Sequence, residues 1–154
     1  MSRCLVVGGN GFLGSHLVDA LVQAGHGVTA FDRFSTEPRY LARKEVIKFR
    51  GDFLNPHDLK RAVDGQQYVF HFLSLTTPMT SGVSPSHDVA TNVCQSIELF
   101  DICASLGVKH LYFASSGGAI YGESDKPIRG IHLSGLGRCG RHGRCSSGLS
   151  RLGG

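Results

Sequence analysis

The sequence predicts an α/β domain built on a doubly wound parallel sheet. Three observations predict it. Short apolar runs alternate with stretches of helical periodicity between residues 4 and 114, the pattern of parallel strands joined by crossover helices. Glycines fall at positions 8, 11 and 14, between the first apolar run and the first helical stretch. Hydrophobic residues make up 41% and charged residues 18% of the 154 residues, enough for one buried core and incompatible with bulk disorder.

Cys4-Leu5-Val6-Val7 is an apolar run closed by Gly8-Gly9, and reads as a buried strand. Residues 12–24 follow as a helix, with Phe12, Leu13, His16, Leu17, Ala20 and Leu21 as its apolar stripe and Gly25 at its end. Val28–Phe31 and Val46–Phe49 are the second and third strands. Asn55-Pro56 supplies an N-cap and first-turn proline for a short helix through Val63. Tyr68–Phe72 is the fourth strand, 87–105 a long helix followed by Gly107, and Leu111–Ala114 the fifth strand. Right-handed crossovers then give the strand order 3-2-1-4-5.

The glycine loop carries the sharpest chemistry. Gly8 permits a tight turn, Gly11 lets a pyrophosphate approach the backbone, and Gly14 lets the helix pack against the strand. Phe12 and Leu13 open a helix whose free N–H groups would face the phosphates. Asp32 ends the second strand, 18 residues after Gly14. A carboxylate there accepts both ribose hydroxyls of an adenosine and repels a 2′-phosphate, so NAD is the expected cofactor. Arg33 beside it offers a cation for a phosphate or for stacking on adenine. Together these features define a Rossmann-like nucleotide site.

Residues 3–128 resemble the NAD-dependent epimerase/dehydratase family, the extended short-chain dehydrogenase/reductases of UDP-glucose 4-epimerase type. The G-x-x-G-x-x-G spacing of residues 8–14 is that family's. Gly51-Asp52-Phe53 is similar to its G-D-[IL], which implies that Asp52 meets adenine. Val69 to Ser74 resembles its fourth-strand V-I-H-x-A-A/G, which places Leu73 and Ser74 on the nicotinamide side. Asn92 occupies the place of the family's helix asparagine, and Ser115-Ser116 begins a segment like S-S-x-x-V-Y-G, ending at Tyr121-Gly122. Each match also has a plainer reading. Asp52 suits a loop, His71 a core histidine, Asn92 a helix brace, and Ser115 and Ser116 local backbone partners.

The resemblance implies a nucleotide-sugar substrate, with Ser116 as the hydroxyl nearest the family's catalytic Ser or Thr; Gly117 stands at that position itself. The family's Tyr-x-x-x-Lys pair is missing: no tyrosine follows Tyr121 and no lysine follows Lys126. Tyr121 is no substitute, because Asp125 stands four residues on. The chain is therefore expected to be an incomplete, inactive version of the domain, truncated after the fifth strand. A non-catalytic dinucleotide-binding fragment or a redox-sensing regulator is the alternative.

Residues 129–154 differ from the rest. They hold five of the sixteen Lys and Arg residues, eight of the 21 glycines, and no acid, lysine, Phe or Tyr. They read as a disordered or frameshifted tail. His132, Cys139, His142 and Cys145 match no usual zinc-module spacing, so no metal is expected. The preceding 128 residues carry eleven Lys and Arg against twelve Asp and Glu, which does not suit a nucleic-acid binder. No apolar run approaches a membrane span. Five cysteines without a regular framework, and no signal peptide, suggest the cytoplasm. An unpaired outer edge on the fifth strand predicts self-association or aggregation.

Overall fold

The computed structural model describes residues 1–42, 44–76 and 83–114, all within the first of the chain's two units, Met1–Ser115. Five parallel strands form one sheet: β1 (Arg3–Val7), β2 (Gly27–Asp32), β3 (Val46–Arg50), β4 (Tyr68–His71) and β5 (His110–Phe113). Their order is β3-β2-β1-β4-β5, as expected from the alternation of elements. In register, Val7 lies beside Phe31 on one side and His71 on the other. The C-terminal ends of β1, β2 and β4 therefore converge at one level.

The central position of β1 explains its apolar run. Leu5 and Val7 point to one face and Val6 to the other, and all three are fully buried. One face packs Leu5, Val7, Phe31 and Val69 against α2 (Pro56–Val63) and the later helix, through Leu59, Val63, Leu99 and Ile102. The opposite face packs Val6, Val28 and Ala30 against Val18 of α1 (Phe12–Gln23), with Phe34 and Tyr40 from the loop after β2. Each fully buried Val or Leu contributes about 1.5–3 kcal/mol of transfer free energy, which makes β1 the strand the rest depends on.

Helix α2 follows its sequence signals closely. The Asn55 side chain accepts from the His57 N–H at 3.1 Å, and Pro56 occupies the first helical position. Helix α1 departs from the expected stripe. Its buried residues are Gly14, Ser15 and Val18, whereas Phe12 and Leu13 are exposed and His16 and Ala20 point outward. The reason is steric: Gly14 must face Gly8, which turns the helix so that Val18 and Val22 join Leu17 and Leu21 of that stripe on the inward side.

The long helix expected over 87–105 is also modified. It consists of α3 (Pro85–Asp88), a π-helical segment over Val89–Cys94, and α4 (Gln95–Ser105). Asn92, inside the π-helical segment, reaches across to the segment after β4. Among the described residues, no helix is long and apolar enough to cross a membrane. The same residues hold no cluster of three or more His, Cys, Asp or Glu fit to bind a metal. Ser115, Ser116, Tyr121, the 129–154 segment and its His132, Cys139, His142 and Cys145 lie outside the described residues.

Candidate nucleotide site

The glycine loop leaves β1 and turns at once into α1. The N–H groups of Gly8 and Gly9 both donate to the Phe31 carbonyl, at 2.9 and 3.1 Å, and the Gly11 N–H donates to the Gly8 carbonyl at 2.9 Å. Gly8 has φ +84°, in the left-handed region where an L side chain is strained. A Cβ on Gly14 would lie 2.1 Å from the Gly8 carbonyl oxygen. Gly9 is constrained as well, since a Cβ there would meet that of Ala30 at 2.8 Å. Gly11 differs: it is exposed, and the Gly8 carbonyl oxygen, at 3.1 Å, is the one neighbour its Cβ would meet. It presents open backbone at the entrance of α1, whose N-terminus carries no side-chain cap. Phe12 and Leu13 flank that entrance, 70% and 59% exposed. This is the cradle a pyrophosphate needs, with uncapped N–H groups and no Cβ in the way.

Asp32 sits half-buried at the end of β2. Its Oδ2 accepts the Asn10 N–H at 3.1 Å and its Oδ1 accepts the Phe34 N–H at 3.4 Å. Each carboxylate oxygen retains further acceptor capacity. Arg33 is exposed beside it.

The G-D-F segment divides its tasks. Gly51 is required by packing, because a Cβ would lie 2.5 Å from the Phe31 ring. Asp52 is exposed; its Oδ1 accepts the Leu54 N–H at 3.0 Å, and its own N–H donates to Asp58 at 3.0 Å. It organises the turn into α2. Phe53, the third residue of the segment, turns inward. Its ring is buried in the core, 5.2 Å from the His71 ring centroid, and only its backbone is left for a ligand.

Beyond β4 the structure brings Leu73, Ser74 and Asn92 together around one cleft of about 520 Å³, also lined by His71, Ile97 and Phe113. Asn92 acts as a brace. Its Oδ1 accepts the Leu75 N–H at 2.8 Å, and its Nδ2 donates to Thr76 Oγ1 at 2.6 Å and to Asp88 Oδ1 at 2.7 Å. Ser74 Oγ donates to the Thr76 carbonyl at 2.9 Å. Together these hold the segment after β4, and the Leu73 backbone meets the glycine loop where a Gly8 Cβ would come within 3.0 Å.

His71 is the core histidine that its apolar strand suggested. It is fully buried, and burial pushes its pKa down to about 4. Its Nε2 lies 2.8 Å from Ser96 Oγ, and Ser96 Oγ lies 2.5 Å from the Asn92 carbonyl. The single hydroxyl proton of Ser96 goes to that carbonyl, so Nε2 must carry the imidazole proton, an assignment from the network. Nδ1 is buried without a partner.

Sequence reasoning singled out neither Asn10 nor Ser96. Each had a signal: Asn10 is a polar side chain inside a loop that otherwise works through its backbone, and Ser96 follows Asn92 by one helical turn.

Comparison with known proteins agrees with this geometry. UDP-glucose 4-epimerase of Neisseria meningitidis serogroup B is 32% identical over 135 residues, covering 82% of this chain and 40% of that protein. Human sterol-4-alpha-carboxylate 3-dehydrogenase, decarboxylating, is 32% identical over 119 residues, covering 77% of this chain and 30% of that protein. The crystal structure of the UDP-glucose 4-epimerase of Thermus thermophilus in complex with NAD superposes with a TM-score of 0.70 at 34% identity, covering 84% of this chain and 42% of that one. The chain thus spans two-fifths or less of the length of the first two relatives. A sequence profile of the NAD dependent epimerase/dehydratase family matches residues 4–136, and the chain belongs to that family.

Proposed function

We propose that this chain binds NAD, and that its chemistry derives from nucleotide-sugar epimerisation or dehydration of the UDP-glucose 4-epimerase kind. The observation that supports this best is the cradle itself. Gly14 and Gly8 touch so closely that no side chain fits, while Gly11 stays open beside uncapped N–H groups. In this reading the α1 N-terminus holds the pyrophosphate and Asp32 accepts the ribose hydroxyls, which favours NAD over NADP. The cleft beside Leu73, Ser74 and Asn92 takes the nicotinamide end, with Ile97 and Phe113 as its apolar lining. NAD, when bound, supplies a hydride acceptor for a substrate carbinol carbon.

No Tyr-x-x-x-Lys pair follows the fifth strand in the 154 residues, and the one such spacing, Tyr40 to Lys44, lies in the segment after β2, where Tyr40 is buried in the core. A phenol without a neighbouring cation keeps a pKa near ~10 and is a poor base at neutral pH. His71 does not replace it, since it is buried in the core and burial pushes its pKa down to about 4, which makes it a weak base. We therefore expect binding without turnover. Purified chain should bind NAD at least about tenfold more tightly than NADP, the discrimination expected from one ribose-reading carboxylate. It should give no product from UDP-, GDP- or dTDP-sugars. Turnover above background would overturn the inactive reading, and equal affinity for NADP would overturn the role of Asp32.

The missing pair is also what favours a dinucleotide-binding module as the second reading. The gene's other reading frames beyond codon 128 separate the two. A Tyr-x-x-x-Lys encoded there supports descent as an epimerase; its absence supports a binding module.

A further inference from the structure

We propose that Asn10 is a positioning residue that sets the preference for a dinucleotide without a 2′-phosphate. This inference rests on the NAD-binding reading and adds to it a residue that reads no ligand itself. Asn10 is buried, and its side chain is engaged entirely by the segment after β2. Its Nδ2 lies 3.3 Å from the Thr36 carbonyl, 3.2 Å from Thr36 Oγ1 and 3.4 Å from the Glu37 carbonyl. Its Oδ1 accepts the Arg39 N–H at 2.8 Å. The backbone N–H of the same residue donates to Asp32 Oδ2. One residue of the phosphate loop therefore holds both the ribose-reading carboxylate and the strap that follows it.

The strap is shaped for this contact. Phe34 adopts φ +48°, unusual for a residue with a side chain, and this turn sends its ring into the core beside Tyr40 while Arg33 stays exposed. Beyond Tyr40 the strap is tied a second time. Asp19 of α1 accepts the Leu41 N–H at 2.8 Å and the Ala42 N–H at 2.9 Å. Arg33 and Arg39, both exposed, are cations on the strap between these points. With the strap locked, their backbone positions are fixed relative to Asp32, and the carboxylate dominates at the ribose. Freed from Asn10, the strap can shift and bring a guanidinium to a 2′-phosphate, the group Arg recognises best.

The experiment titrates NAD and NADP into the full chain and into three variants, with a thermal melt of each. Asn10→Ala keeps the backbone bond to Asp32 and removes every strap bond. It should weaken NAD about tenfold while NADP holds or tightens, so that the ratio of the two Kd values moves by about tenfold. Thr36→Val removes one acceptor and should move the ratio the same way by about twofold, which keeps the test open if Asn10→Ala does not fold. Asp19→Ala releases the far end of the strap; it should lower the melting temperature and leave the ratio unchanged. An unchanged ratio in Asn10→Ala, or an equal shift in Asp19→Ala, would overturn the inference and reduce Asn10 to a structural brace. A wild-type chain that binds neither nucleotide would instead overturn the functional reading, and this inference with it.

Discussion

The two edges of the sheet are built differently. On the β3 side, the outer strand reads Val-Ile-Lys-Phe-Arg, and its two cations keep the edge solvated. The adjoining loop is tied to the glycine loop by Asn10 and to α1 by Asp19, and the Lys48 ammonium sits 4.7 Å over the Phe34 ring. On the β5 side, the outer strand reads His-Leu-Tyr-Phe, with no Lys, Arg or acid. Tyr112 and Phe113 are about half exposed, and Val89, Val93 and Ile97 of the neighbouring helical segments are exposed as well. The half that would hold an adenosine closes on itself. The half that would hold a nicotinamide leaves apolar surface uncovered among the described residues.

That contrast is sharpest at Gly14, where the first half has no slack. Gly14→Ala would put a methyl carbon 2.1 Å from the Gly8 carbonyl oxygen, a backbone atom that cannot rotate away. We expect a loss of about 3 kcal/mol or more, and with it loss of NAD binding. Chemical denaturation and nucleotide titration measure both. A variant that melts like the wild type would show the loop to be looser than its geometry.

His71 tests the other half. Its imidazole protonates near its ordinary pKa of 6.5 when unfolded and at about 4 when folded. The unfolded chain therefore binds the proton first. The stability due to a neutral His71 is complete above about pH 7, falls between roughly 6.5 and 4, and is fully lost below 4. The difference amounts to about 3 kcal/mol. His71→Phe keeps an aromatic ring beside Phe53 and Phe113 and should lack this component. Denaturation curves at pH 7 and pH 4 for both chains measure it; identical pH dependence would mean that His71 is hydrated in solution.

The smallest effect concerns association. We expect Phe113→Thr to reduce self-association in sedimentation velocity while costing about 1 kcal/mol of stability, since its half-exposed ring also packs beside His71 and Phe100. Ile47→Thr, on the charged edge and 65% exposed, should change neither. Equal effects of the two variants would erase the distinction between the edges.

The sequence by itself determined the strand order, the place of the glycine loop and the N-cap at Asn55, because each depends on local periodicity or on a residue's own backbone preference. It placed Asp32 at the end of β2 for the same reason. It placed Leu17 and Leu21 of α1 correctly but misplaced Phe12, Leu13, His16 and Ala20, since the Gly14 contact with Gly8 is made between elements and turns the helix. It left the place of the Phe53 side chain open, and core packing against His71 claims the ring. It could not show that Asn10 reaches Arg39, 29 residues away, or that Ser96 sets the tautomer of His71 across 25 residues. Those bonds exist only once the sheet brings distant segments together, because a side-chain amide or hydroxyl takes whatever partner the finished fold sets within about 3 Å.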